Sequence, residues 1–104
     1  MNNELDFSEK VNKLINQSDI HDSVLIDLIK SMQKLLVHDG NYFNDHILTI
    51  DVKILPPALA LCFLRHTFPF RTKLSNWKPF RDSFHIELNG RGLNADKILF
   101  GLYQ

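Results

Sequence analysis

The most constraining feature of this chain is a long amphipathic stripe. Val24, Leu25, Leu28, Ile29, Met32, Leu35 and Leu36 recur with the 3.6-residue period for more than three turns. A stripe of that length must bury one face against other elements. It predicts a helix over residues 19–38, capped by Ser18 or Asp19 and stopped by Gly40 in a left-handed conformation. Asp27 is placed to pair with Lys30 and Lys34 on the outer face. A shorter helix precedes it. Phe7, Val11, Leu14 and Ile15 share one face, Asp6 and Glu9 have capping-box spacing, and Asn16, Gln17 and Ser18 break the pattern.

Beyond residue 46 the period shortens to two. Leu48, Ile50, Val52 and Ile54 alternate with Thr49, Asp51 and Lys53, which reads as a half-buried strand ended by Pro56-Pro57. Phe84, Ile86 and Leu88 alternate with His85, Glu87 and Asn89 in the same way, and Asn89-Gly90 is a strong hairpin-turn dipeptide. Residues 58–66 are almost wholly apolar, and their alanines, leucines and leading proline predict a short buried helix, with a buried strand as the alternative. Residues 67–82, which include Pro69 and Pro79, read as mostly irregular. Residues 97–103 read as a strand, or as a helix capped by Asn94. The expected architecture is α+β: two N-terminal helices and a short buried one on a small antiparallel sheet of about three or four strands.

At 104 residues the chain fits one domain spanning 1–104. A domain of this size buries roughly two-thirds of its unfolded surface and folds without a metal or disulfide staple. The lone cysteine, Cys62, excludes an intramolecular disulfide, suits a reducing cytoplasm and reads as a buried inert thiol. The sequence Met-Asn-Asn-Glu-Leu-Asp at positions 1–6 has no basic start or apolar core of a signal peptide. The longest apolar run, Ile54 to Leu64, is 11 residues with two prolines, whereas a membrane helix needs about 20.

No motif in the chain specifies a reaction, and no catalytic, cofactor-binding or metal-binding residue is assigned. The five histidines are His21, His38, His46, His66 and His85, and no two of them have the spacing that puts two metal ligands on one helix face. Asn89-Gly-Arg-Gly92 matches neither a P-loop nor a dinucleotide fingerprint. His66 and His85 with Lys73 or Lys78 are the residue types of a general acid/base ribonuclease, the one enzymatic reading the composition offers. Residues 63–84 hold Phe63, Phe68, Phe70, Trp77, Phe80 and Phe84, interleaved with Arg65, Arg71, Lys73, Lys78 and Arg81. That mixture suits core packing with solvated edges, a protein interface, or stacking on single-stranded nucleic acid.

The net charge is zero, from 12 Lys+Arg and 12 Asp+Glu, which excludes a uniformly basic nucleic-acid binder. The charges are nonetheless segregated. Residues 1–51 carry nine acids and four lysines, giving −5, and residues 52–104 carry eight cations and three acids, giving +5. Asp19, Asp22, Asp39, Asp45 and Asp51 have no helical counter-ion in the sequence and could face a basic cleft on another protein. In size, low cysteine content, acidic helices and scattered aromatics, the whole chain resembles bacterial immunity proteins of contact-dependent growth inhibition systems. The resemblance implies a cytoplasmic protein that binds one cognate toxin, often a nuclease, and needs no cofactor. Nucleic acid, membrane and small molecule are then not the expected partners. In that reading Asp19, Asp22, Asp39, Asp45 and Asp51 supply part of the contact, or Trp77 and Arg71 act as anchors.

Overall fold

The computed structural model describes residues 3–17 and 19–101, and its secondary structure is helical throughout. Five α-helices follow in order: α1 (Asn3–Ile15), α2 (Asp22–Tyr42), α3 (Pro57–Thr67), α4 (Trp77–Gly90) and α5 (Ala95–Phe100). A π-helical turn at Phe43–Ile47 and 3₁₀ turns at Val52–Ile54 and Phe68–Lys73 join them. No strand occurs among the described residues, so the expected α+β class and its antiparallel sheet are replaced by an all-α fold. No helix among those residues is long and apolar enough to cross a membrane.

The core is centred on Phe63. Its ring lies 6.2 Å from Phe7 of α1, 5.9 Å edge-on from Phe43 of the π turn and 6.4 Å from Phe80 of α4. The Phe7 and Phe43 rings are themselves 5.7 Å apart. Around these rings pack Val11 and Leu14, then Leu28, Met32 and Leu35 of α2, with Leu59 and Leu64 of α3 and Phe84 and Leu88 of α4. Phe7, Val11 and Leu14 of the α1 stripe and Leu28, Met32 and Leu35 of the α2 stripe are therefore buried as their periodicity requires, while Ile15, Leu25, Ile29 and Leu36 are half-buried and Val24 is exposed. Mostly local contacts suit a fast-folding chain.

Both expected strands are helical or turn structure. Phe84 and Leu88 are four residues apart on the inner face of α4, continuing the line of Trp77 and Phe80, while Ile86 is 72% exposed. A strand would have placed Ile86 with its neighbours; helical geometry sends it outward. Pro79 is the third residue of α4, in the first turn, where a missing N–H costs nothing. In the first expected strand, Leu48 and Val52 are buried, Ile50 is half-buried and Ile54 is 52% exposed, so the alternation does not correspond to two faces. Residues 67–82, expected to be irregular, are mostly a 3₁₀ turn and the start of α4. Residues 95–100 take the helical alternative, with the Asn94 side chain accepting a hydrogen bond from Lys97 N at 3.1 Å. The rest of that expected strand, from residue 102, lies outside the described residues.

Helix ends depart from expectation in four places. Asp6 sits inside α1 and pairs with Lys10 at 3.4 Å, so it does not begin a capping box. α2 starts at Asp22 behind His21, so Asp19 is outside the helix, and Ser18 is not among the described residues. Gly40 takes no positive φ; the break comes one residue earlier at Asp39, whose φ/ψ of −157°/75° interrupts α2. The Asp39 carboxylate accepts a hydrogen bond from Tyr42 N at 3.1 Å, so it caps the segment that restarts there. Asn89-Gly90 ends α4 rather than turning a hairpin. Leu93 N donates to Leu88 O and Gly92 N to Asn89 O, both at 3.0 Å, which is the Schellman closure, with Gly92 at φ 78° in the left-handed position.

Trp77 is 4% exposed, and its indole N–H donates to Thr67 Oγ1 at 2.8 Å. The Thr67 hydroxyl in turn donates to Phe63 O. Thr67→Val leaves the indole N–H buried without an acceptor and should cost about 1–3 kcal/mol in urea denaturation, whereas Thr67→Ser should cost much less. Trp77 is the single tryptophan, so its fluorescence reports the transition directly. Gly92→Ala should lose about 1–2 kcal/mol because its φ is positive. Gly90→Ala, with open space around the added methyl and helical backbone, should gain up to about 1 kcal/mol.

Candidate functional site

The five aspartates proposed as contact residues fall into two groups. Asp19 and Asp22 lie before and at the start of α2, and Asp39 lies at its break. Asp39 lies seventeen positions beyond Asp22 along α2, about 25 Å at 1.5 Å per residue. They are not one patch. Asp39, Asp45 and Asp51 instead belong to one stretch, the α2 break, the π turn and the following 3₁₀ turn.

Each carboxylate in that stretch is oriented by a local hydrogen bond. Asp39 accepts from Tyr42 N at 3.1 Å, Asp45 from Asn44 Nδ2 at 3.0 Å and Asp51 from Lys53 N at 2.9 Å. Asp45 and Asp51 are exposed, and Asp39 is half-buried. Glu4 of α1 reaches Asp39 through a side-chain hydrogen bond, which raises the Glu4 pKa above its ordinary value, with some burial adding to the shift. Tyr42 stacks on His46 with 4.6 Å between ring centroids and shares a 2.7 Å hydrogen bond with Ser8.

The stretch is fastened to α4 by a pair of asparagines. Asn76 N donates to Asn44 Oδ1 at 2.8 Å and Asn76 Nδ2 donates to Asn44 O at 3.0 Å. Asn44 Nδ2 also donates to Ser75 Oγ at 3.1 Å. Sequence reasoning missed this staple, because two asparagines 32 residues apart carry no local signal. It also placed Asp27 with Lys30 and Lys34, whereas Asp27 meets Lys10 of α1 at 3.1 Å, an ion pair across the helix–helix contact. The ion pairs Lys10–Asp6, Lys10–Asp27, Arg81–Asp82, His85–Asp96 and Arg91–Glu87 each join residues of the same sequence half. None of them offsets the −5 of one half against the +5 of the other.

The aromatic and basic segment divides between interior and surface. Phe63, Trp77, Phe80 and Phe84 are buried. Trp77 is therefore a core residue, edge-packed on Phe68 at 5.7 Å. Arg71 lies over the Phe68 ring, its guanidinium carbon 3.9 Å from the centroid and its Nη1 donating to Phe68 O at 2.9 Å. It is exposed, and the stack holds its planar head in place. Phe70, Lys73 and His38 line a separate hollow beside the α2 break.

The histidines and lysines of the ribonuclease reading are dispersed. His66 lines a groove between α2, α3 and α5, His85 lies in a hollow with Arg81 and Ile86, and Lys73 lines the hollow at the α2 break. Lys78 is exposed on the first turn of α4. His85 Nε2 meets Asp96 Oδ1 at 2.8 Å, and its Nδ1 faces Asn89 Nδ2 at 3.3 Å, so both ring nitrogens are engaged. Among the described residues no three His, Cys, Asp or Glu side chains come together as a metal site.

The groove that holds His66 has a volume of about 360 Å³ and is walled by Leu25, Ile29, Leu61 and Ile98, with Ala58, Cys62 and Arg65. Burial depresses the His66 pKa, and Arg65 depresses it further. Burial pushes the Cys62 thiol up to about 11, against a smaller opposing pull from Arg65. Protein-family models give no match to this chain, and neither curated proteins nor solved structures match it.

With its folded pKa below 6.5, His66 binds a proton more readily in the unfolded chain. The stability it contributes is complete above about pH 6.5 and lost as pH falls toward its depressed folded value. The His66 ring resonances should titrate with a midpoint below 6.5. The fall in thermal midpoint between pH 7.5 and 5.5 should be smaller in His66→Gln.

Proposed function

We propose that this protein acts by binding another protein, as a cytoplasmic immunity protein that blocks a cognate toxin through a basic surface such as a nuclease cleft. The observation that supports the reading is the carboxylate stretch 39–51. Asp39, Asp45 and Asp51 are held by hydrogen bonds to neighbouring groups, and Asn44 and Asn76 fasten their backbone to α4. Carboxylates set before encounter meet a cationic surface without the entropic cost of ordering long side chains. An acidic half of −5, with the observed ion pairs confined within halves, adds a long-range field that steers a basic partner.

Asp19 and Asp22 stand apart at the far end of α2 and belong to the field rather than to the contact. Arg71, held on Phe68, is an exposed anchor candidate on a different part of the chain. Trp77 takes no part, because its ring is enclosed and its N–H is satisfied within the fold.

The reading is tested by co-purification with the product of the adjacent upstream gene, and by a triple variant. Asp39→Asn, Asp45→Asn and Asp51→Asn retain side-chain oxygens that accept the same hydrogen bonds while removing three charges. The association rate with the toxin should fall about tenfold or more at low salt, and its salt dependence should flatten, with folding nearly unchanged. If no partner co-purifies and the neighbouring gene encodes no toxin-like domain, the immunity function is wrong. A triple variant that associates at the wild-type rate would remove the carboxylates from the contact.

A further inference from the structure

We propose that the groove between α2, α3 and α5 binds a small amphipathic monocarboxylate. Its aliphatic tail lies on Leu25, Ile29, Leu61 and Ile98, and its head group meets Arg65. The inference is independent of the toxin-binding reading, which uses other residues.

The walls argue for the tail. Leu25 and Ile29 come from α2, Leu61 from α3 and Ile98 from α5, all half-buried against the core and all facing one gap. The gap of about 360 Å³ falls within the size range of small-molecule sites, roughly 300–1,000 Å³, which are mainly apolar with a few polar groups. A complete helix needs a longer groove than these eight residues line, whereas a single flexible chain fits it.

The rim argues for the head group. Of the four arginines, Arg71 is held on Phe68, Arg81 meets Asp82 and Arg91 meets Glu87. Arg65 has no ion pair or hydrogen bond with any described residue. Its charge nonetheless acts on the groove, since it lowers the pKa of both His66 and Cys62. Among the described residues no Asp or Glu lines the groove to repel an anion. A planar guanidinium matches a carboxylate in two parallel hydrogen bonds, and the neighbouring imidazole, kept neutral at pH 7 by its depressed pKa, can donate one more. One cation beside a neutral donor suits a singly charged head rather than a phosphate.

The test uses the full isotope-labelled chain, titrated with sodium decanoate and separately with 1-decanol below their aggregation concentrations and followed by NMR. Decanoate should give saturable shifts at Leu25, Ile29, Leu61 and Ile98 and bind at least about tenfold tighter than decanol. Arg65→Gln should reduce decanoate to the affinity of decanol. Ala58→Trp, at the exposed rim in the first turn of α3, should abolish both while leaving circular dichroism unchanged. Should that variant misfold, alkylation of Cys62 in the wild-type chain serves instead, and decanoate should slow it several-fold. Absence of saturable shifts with decanoate, or an Arg65→Gln variant that binds it as tightly as wild type, overturns the proposal. So do groove shifts that follow protein concentration alone, since the groove would then join two copies of this chain.

Discussion

Everything in this fold is arranged around the ring of Phe63. Among the described residues it is the one side chain whose ring contacts reach α1 through Phe7, the π turn through Phe43 and α4 through Phe80. Such pairs contribute about 0.5–1.5 kcal/mol each beyond the area they bury. The backbone carbonyl of the same residue accepts the Thr67 hydroxyl, which accepts the Trp77 indole N–H. Aromatic packing and a buried polar chain therefore start from one position on α3. That coupling fixes where α4 begins, because Trp77 is its first residue. It also sets the carboxylate stretch, since Asn76, one residue earlier, holds Asn44.

The same centre explains what could be read from the sequence. The stripes of α1 and α2 were legible because they are long: over more than three turns only a helix keeps Leu28, Met32 and Leu35 on one side. The buried helix α3 was legible from its proline start and its alanines and leucines. The two expected strands were not, and the second shows why. Five to seven residues of alternating polarity also fit a helix that buries positions i and i+4 and exposes i+2. Phe84, Ile86 and Leu88 do this in α4. The longer series Trp77, Phe80, Phe84 and Leu88 carries the helical spacing, but Pro79 splits it and conceals its start. The asparagine staple, the Lys10–Asp27 ion pair and the groove between α2, α3 and α5 depend on contacts between distant segments, which no local pattern encodes.

The charge segregation has a physical counterpart in the partial use of each carboxylate. A capping aspartate gives its oxygen a hydrogen bond but keeps its full charge. Asp39 and Asp51 thus contribute to local structure and to the external field together. Had they been paired with lysines across the helix surface, as the spacing of Asp27 with Lys30 suggested, the field would have been neutralised in place. Lys10 takes that role for Asp6 and Asp27 at the α1–α2 contact. Asp45 and Asp51, both exposed, keep their carboxylates at solvent, which is the condition long-range steering requires.

The groove follows from the dimensions of α5. Six residues extend about 9 Å, against about 25 Å for the unbroken part of α2. Such a helix cannot cover the α2 face. It is also committed elsewhere: Ala95 and Leu99 are buried, and Asp96 is tied to His85 of α4. Only Ile98 is left to face Leu25 and Ile29 across the gap. The chain keeps four half-buried aliphatics beside an arginine that has no partner in the described structure, an arrangement that costs stability when empty and recovers it on binding an apolar chain with an anionic end.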